Sequence, residues 1–171
     1  MARAILVRTP LDRHLAINCN SGSLTNKQTI MAGYSGTPLA QKLGLKAHAD
    51  VVLINAPKNY AQLLGEIPPG IVFSKRMKTG ARFVHLFSTK RSELQKRLVT
   101  LRKLLAEDGT LWVSWPKKSA GVATDVTEDV IRAVALPLGF VDVKVCAVDE
   151  TWSGLKLMVR RTNRKQSVKR K

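Results

Sequence analysis

Residues 92 to 118 read as a helix delivered directly into a strand, and no other stretch so narrows the folds open to this chain. Leu94, Leu98, Leu101 and Leu105 recur at the spacing of one helix face between Ser92 and Ala106, and Asp108-Gly109 supplies a helix stop and a tight turn. Leu111-Trp112-Val113-Ser114-Trp115 then reads as a buried strand that ends at Pro116-Lys117-Lys118. Helix, glycine turn, buried strand and polar loop in that order make one unit of a parallel α/β sheet.

The flanking sequence extends that sheet. Thr37-Pro38 is suited to open a short helix over 38–43 that stops at Gly44. In Asp50-Val51-Val52-Leu53-Ile54-Asn55 a continuous run rich in β-branched residues lies between two polar ends, as a central strand buried on both faces requires. A loop, one or two helical turns over 60–64 and the turn Pro68-Pro69-Gly70 lead to a second strand over 71–75. Only residues 76–81 separate it from the next strand, 82–87. A helical crossover needs a dozen residues or more, so the pair is either an antiparallel hairpin or is joined by an extended link crossing the sheet. At about 3.3 Å per residue the link reaches roughly 20 Å, enough to cross, and the bare crossover is the favoured expectation.

Further on, Asp125 and Glu128 have capping-box spacing at the start of a helix striped by Val126, Val130, Ile131 and Val134. Strands over 140–148 and 155–160, linked by a short turn, form a closing antiparallel hairpin. The predicted fold is a single α/β domain, a three-layer sandwich around a mostly parallel sheet.

Composition sets limits on function. Cys19 and Cys146 lie far apart without metal-ligand spacing, which fits a reduced, cytoplasmic protein lacking a structural metal. No apolar run approaches the roughly 18–20 residues that would span a bilayer, so no membrane partner is expected. The formal charge is +17. Residues 160–171 carry seven Lys/Arg and no acid, residues 1–30 four against one, and residues 31–159 eighteen against eleven. Arg160, Arg161, Arg164, Lys165, Lys169, Arg170 and Lys171 are therefore candidates for non-specific polyanion contact, nucleic acid included, or simply a solvated tail. Residues 1–30 read as an extension or as sequence upstream of the true start, 31–160 as the folded domain, and 161–171 as a disordered basic tail.

Ligands of open parallel sheets bind beyond the carboxyl ends of the strands. That edge gathers Asn55, Lys58 and Tyr60 from one loop, 88–91 from a second, Trp115, Lys117 and Lys118 from a third, and Asp149, Glu150, Trp152 and Ser153 from a fourth. The lysines suit an anionic small molecule, and Trp115 with Trp152 would form a stacking wall, unless they merely cap the core. Asp149-Glu150 could bind a hydroxyl or form an ion pair with Lys117 or Lys118. Ser88-Thr89 reads as the N-cap of the central helix, and His85 as a core histidine.

Six ordered blocks resemble the bacterial family catalogued as domain of unknown function 3052: 32–39, Leu53 to Pro57 with Tyr60, 83–87, 111–118, 124–127 and 148–153. The likeness covers about residues 31–160 and brings no activity with it. More distantly, the element order looks like a reduced class I methyltransferase, a Rossmann-like fold. The chain departs from that pattern in three ways. Residues 55–60 contain no glycine, Lys75-Arg76 stand where an acid holds the ribose, and one βα unit is missing. Binding of S-adenosylmethionine in the usual pose is therefore not expected, and the cofactor is left open. The expectation is a non-catalytic binding or regulatory domain that takes an anionic ligand or a protein partner. A divergent transferase using the same edge is the alternative, and nucleic-acid binding through the basic tail a weaker one.

Overall fold

A computed structural model describes residues 36–164. The readings made for residues 1–30, for positions 32–35 of the first family block, and for Lys165, Lys169, Arg170 and Lys171 fall outside the described residues. Within them, one six-stranded sheet has the order β2-β1-β3-β4-β6-β5. Its strands are β1 Asp50–Ile54, β2 Val72–Ser74, β3 Ala81–Phe87, β4 Leu105–Pro116, β5 Phe140–Ala147 and β6 Trp152–Val159. The first four run parallel, and β6 is antiparallel to both β4 and β5. This is the mostly parallel sheet with a closing hairpin that the sequence predicts.

Alternation along each strand feeds two cores. Val52, Ile54, Val84, Leu86, Leu111 and Val113 face the helices α3 (Arg91–Leu104) and α4 (Glu128–Ala135). Val51, Phe83, Phe87 and Trp112 face the short helices α1 (Leu39–Leu43) and α2 (Tyr60–Leu64). Both faces of β1 and of the central parts of β3 and β4 are therefore buried, which is why 51–54, 83–87 and 111–115 are largely apolar. Leu94, Leu98 and Leu101 of α3 are fully buried, each worth about 2 kcal/mol of transfer free energy.

β2 and β3 pair with opposite sides of β1 in the same direction, so residues 75–80 cross it without a helix. The bare crossover is the arrangement adopted. Met77 packs from this link onto the α3-side core, and Gly80 N–H donates to Leu104 O.

Two local expectations are corrected. The helix stops at Leu104, and Leu105 already begins β4 opposite Ala81, so Asp108-Gly109 lies inside an irregular extended segment and makes no helix-ending turn. Tertiary pairing outweighs local turn preference here. Gly109 is needed because a Cβ would stand 2.9 Å from Ala106 O and 3.0 Å from Ala81 O. Nor do Ser88 and Thr89 cap α3. Lys90 holds the N-cap position without a side-chain bond, and Asp125, 34 residues later, accepts from Arg91 N–H at 2.6 Å. With Asp125 so used, Thr127 caps α4 by accepting from Val130 N–H.

Regular structure continues past residue 160. A 3-10 turn spans Arg161–Asn163, Arg160 N–H donates to Gly139 O, and Arg164 Nε donates to Val159 O. Arg160, Arg161 and Arg164 thus belong to the sheet edge opposite the carboxyl ends. No helix among the described residues is long and apolar enough to cross a membrane.

Candidate functional site

The chain leaves β1 toward β2 on one side and returns through β3 on the other, so the sheet order reverses between β1 and β3. Ligand crevices of open α/β sheets lie at such a reversal, beyond the carboxyl ends. A cleft of about 110 Å3 occupies that point, lined by Asn55, Phe87, Ser88, Thr89, Glu93 and Trp152. Asn55 follows β1 in the left-handed region at φ 55°, a conformation asparagine tolerates. Its Nδ2 donates to Glu93 Oε1 at 3.0 Å and more weakly to Phe87 O at 3.4 Å. Glu93 sits in the first turn of α3, where the helix dipole favours a carboxylate, with Arg97 3.7 Å away. Trp152 meets Phe87 edge to face, centroids 5.1 Å apart.

The loops expected at this rim do converge on it, but their side chains divide between several places. Trp115 lies opposite Ser153 and Trp152 opposite Pro116, so the two indoles point to opposite faces of the sheet. Trp115 packs in the α3–α4 core and Trp152 against the α1–α2 core. The stacking wall is not formed. Trp115 and Lys118 instead line a second, open cleft of about 390 Å3 with Thr124, Val126, Thr127, Glu128 and Asp129.

Lys117 and Asp149 hold a turn together. Lys117 Nζ donates to Asp149 O at 2.6 Å, while Asp149 Oδ1 accepts from the N–H groups of Thr151 and Trp152 at 2.8 and 2.6 Å. The adjacent acids therefore form no proton-sharing pair, and no Asp149 or Glu150 salt bridge to Lys117 or Lys118 occurs. Lys58 and Glu150 are exposed and line neither cleft, and Ser153 is half-buried in β6. The lysines expected to receive an anion are thus absent from the lining of the reversal cleft, which carries a carboxylate.

Tyr60 is withdrawn from the rim altogether. It is 4% exposed, and its hydroxyl lies 2.9 Å from His85 Nδ1, whose Nε2 lies 2.7 Å from Ser114 Oγ. His85 and Ser114 are fully buried. A neutral imidazole donates through one nitrogen and accepts through the other, so either tautomer completes the chain from α2 through β3 to β4. Burial pushes the His85 pKa down to about 3 and raises that of Tyr60. Stacking of His85 on Phe87 at 4.4 Å and the edge contact with Tyr60 seal the imidazole from solvent. The reading of His85 as a satisfied core residue holds.

Sequence reasoning placed the rim but missed Glu93, whose signal was available as the acid of a helix's first turn, two residues past its start.

No family model matches this chain, and no curated protein does, so the resemblance to the domain of unknown function 3052 rests on the six blocks alone. Solved structures do match. One, described as a type 11 methyltransferase from Sulfolobus solfataricus, aligns with a TM-score of 0.51 at 11% identity over 69% of this chain and 87% of that one. Another, described as an exported protein from Bordetella parapertussis, gives 0.50 at 11% identity over 71% and 66%. A SAM dependent methyltransferase from Aquifex aeolicus gives 0.49 at 14% identity over 71% and 87%. Identities this low speak to architecture alone: the described domain has a methyltransferase-like α/β fold.

Proposed function

We propose that the protein is a non-catalytic binding domain on a methyltransferase-like scaffold, and that the reversal cleft takes a small, cationic or neutral ligand. The observation that carries this is the cleft's lining: the Glu93 carboxylate, the Asn55 amide and the Trp152 ring converge on about 110 Å3. Sites for drug-sized molecules run from about 300 Å3 upward, so a nucleoside cofactor does not fit this cleft as it stands. A carboxylate beside an indole suits a compact alkylammonium group. Ser88 Oγ in the lining is engaged, donating to Lys90 O, and His85 is sealed inside the sheet away from the cleft.

A divergent transferase is the second reading, favoured by the position of the cleft at the sheet reversal. S-adenosylmethionine carries a sulfonium that the same carboxylate and indole would attract.

The test follows tryptophan fluorescence and melting temperature of the full chain with tetramethylammonium, S-adenosylmethionine and S-adenosylhomocysteine. The binding-domain reading expects tetramethylammonium to perturb Trp152 emission, with the effect weakened in Glu93→Gln, and S-adenosylhomocysteine to do nothing. Stabilisation by S-adenosylhomocysteine would overturn it in favour of the transferase.

A further inference from the structure

Acids meet arginines at several places on the molecule, but the closing hairpin sets two lysines face to face. On the α3–α4 side and at the adjoining edge, five arginine–acid contacts of this kind recur: Arg132 pairs with Glu128 and with Asp142 at 2.9 Å, Arg102 with Glu107, Arg97 with Glu93 and Arg82 with Asp108, while lysines such as Lys96 and Lys103 of α3 stand without an ion pair among the described residues. The other side of the closing hairpin is different. Lys144 of β5 lies directly opposite Lys156 of β6, and Lys156 is itself opposite Trp112, which fixes both lysines on the α1 side.

Like charges facing each other across a strand pair are destabilising. Lys144, Lys156 and Lys46, the last from the loop after α1, have no ion pair among the described residues. Lys46 follows Leu45, which packs in the same core as Trp112, and partial burial together with Lys144 and Lys46 pushes the Lys156 pKa down. Burial raises the pKa of the neighbouring Cys146 thiol, and Lys144 and Lys42 only partly oppose that. Lys144 Nζ stands 5.8 Å above the Trp112 ring, which anchors it on the sheet surface.

We propose that this hairpin face, through Lys46, Lys144 and Lys156, binds the phosphate backbone of a nucleic-acid duplex. Two observations select that occupant. Residues 36–164 hold 21 Lys/Arg against 11 Asp/Glu, so the long-range field of the domain as well as the patch attracts a polyanion. No aromatic residue among the described residues is exposed, so the face has no platform for unstacked bases and is suited to backbone contact without sequence readout. The site lies on strands of the folded domain, outside the lining of the reversal cleft.

The experiment measures anisotropy of a labelled 20-base-pair DNA of arbitrary sequence with the full chain across a salt series. Each lysine–phosphate contact contributes about 0.9 to the slope of log K against log salt, so Lys144→Gln with Lys156→Gln lowers the slope by about 2. Contributions from the tail cancel in the comparison. The control, Lys96→Gln with Lys103→Gln, makes the same charge change on exposed positions of α3 and leaves the slope nearly intact. Removing the like-charge pair leaves the melting temperature unchanged or raised, so misfolding is distinguishable. Equal slope losses in the two double variants, no loss in either, or displacement of the DNA by polyglutamate at equal charge concentration would each overturn the proposal, the last pointing to an acidic protein instead.

Discussion

Acidification is expected to strip stability from this protein well above the range in which carboxylates titrate, and His85 is the cause. Buried between Tyr60 and Ser114, its imidazole has a pKa of about 3 in the folded chain, against about 6.5 in an unfolded one. Between those values the unfolded state binds more protons, so stability is complete above pH 6.5 and declines as the pH falls toward 3. From those two values the loss between pH 7.5 and pH 5 is about 2 kcal/mol, equivalent to about 6 °C in melting temperature for a chain of this size. Urea melts of wild type and His85→Phe over that interval isolate the effect, since every other titrating group contributes to both. The variant starts lower, because Tyr60 and Ser114 each lose a partner at a cost of about 1–3 kcal/mol, but its stability changes less with pH. Imidazole NMR of the wild type provides a check that needs no variant. A His85 ring that titrates near 6.5, or equal pH slopes in the two proteins, would refute the reasoning.

Three further substitutions probe local claims. Asp125→Ala removes the acceptor for Arg91 N–H and should cost about 1 kcal/mol, read as a lower urea midpoint. Thr127→Ala should cost about as much by uncapping α4. Gly109→Ala drives a methyl against Ala106 O and Ala81 O, and we expect a loss of about 1–3 kcal/mol in the same assay.

The parallel sheet was legible because burial on both faces writes itself into β1 as the apolar run 51–54 and into β3 as a largely apolar 83–87, and because six residues between strands leave few topologies. The rim was legible for the same reason: strand direction alone says where loops emerge. Which side chains share a pocket was not. Trp115 and Trp152 differ by one step of register between β4 and β6, and one step exchanges the faces of the sheet. Nothing local in the hairpin sequence sets that register against β4. The use of Asp125 was hidden likewise: its spacing to Glu128 announces a cap for α4, while only the packed helix layer brings it to Arg91. Glu93 acquires meaning from Asn55, 38 residues earlier.

The helix-free passage from β2 to β3 has a consequence for how the molecule breathes. β2 is three residues long, joined to β1 through three paired positions, with Val72 half open to water and no helix following it to cover the edge. That margin can peel away while the β3–β4–β6 centre stays closed, so its amides should exchange with deuterated water at a rate nearly independent of global unfolding. The most easily opened piece of the sheet is therefore the one flanking the strand from which Asn55 reaches into the cleft.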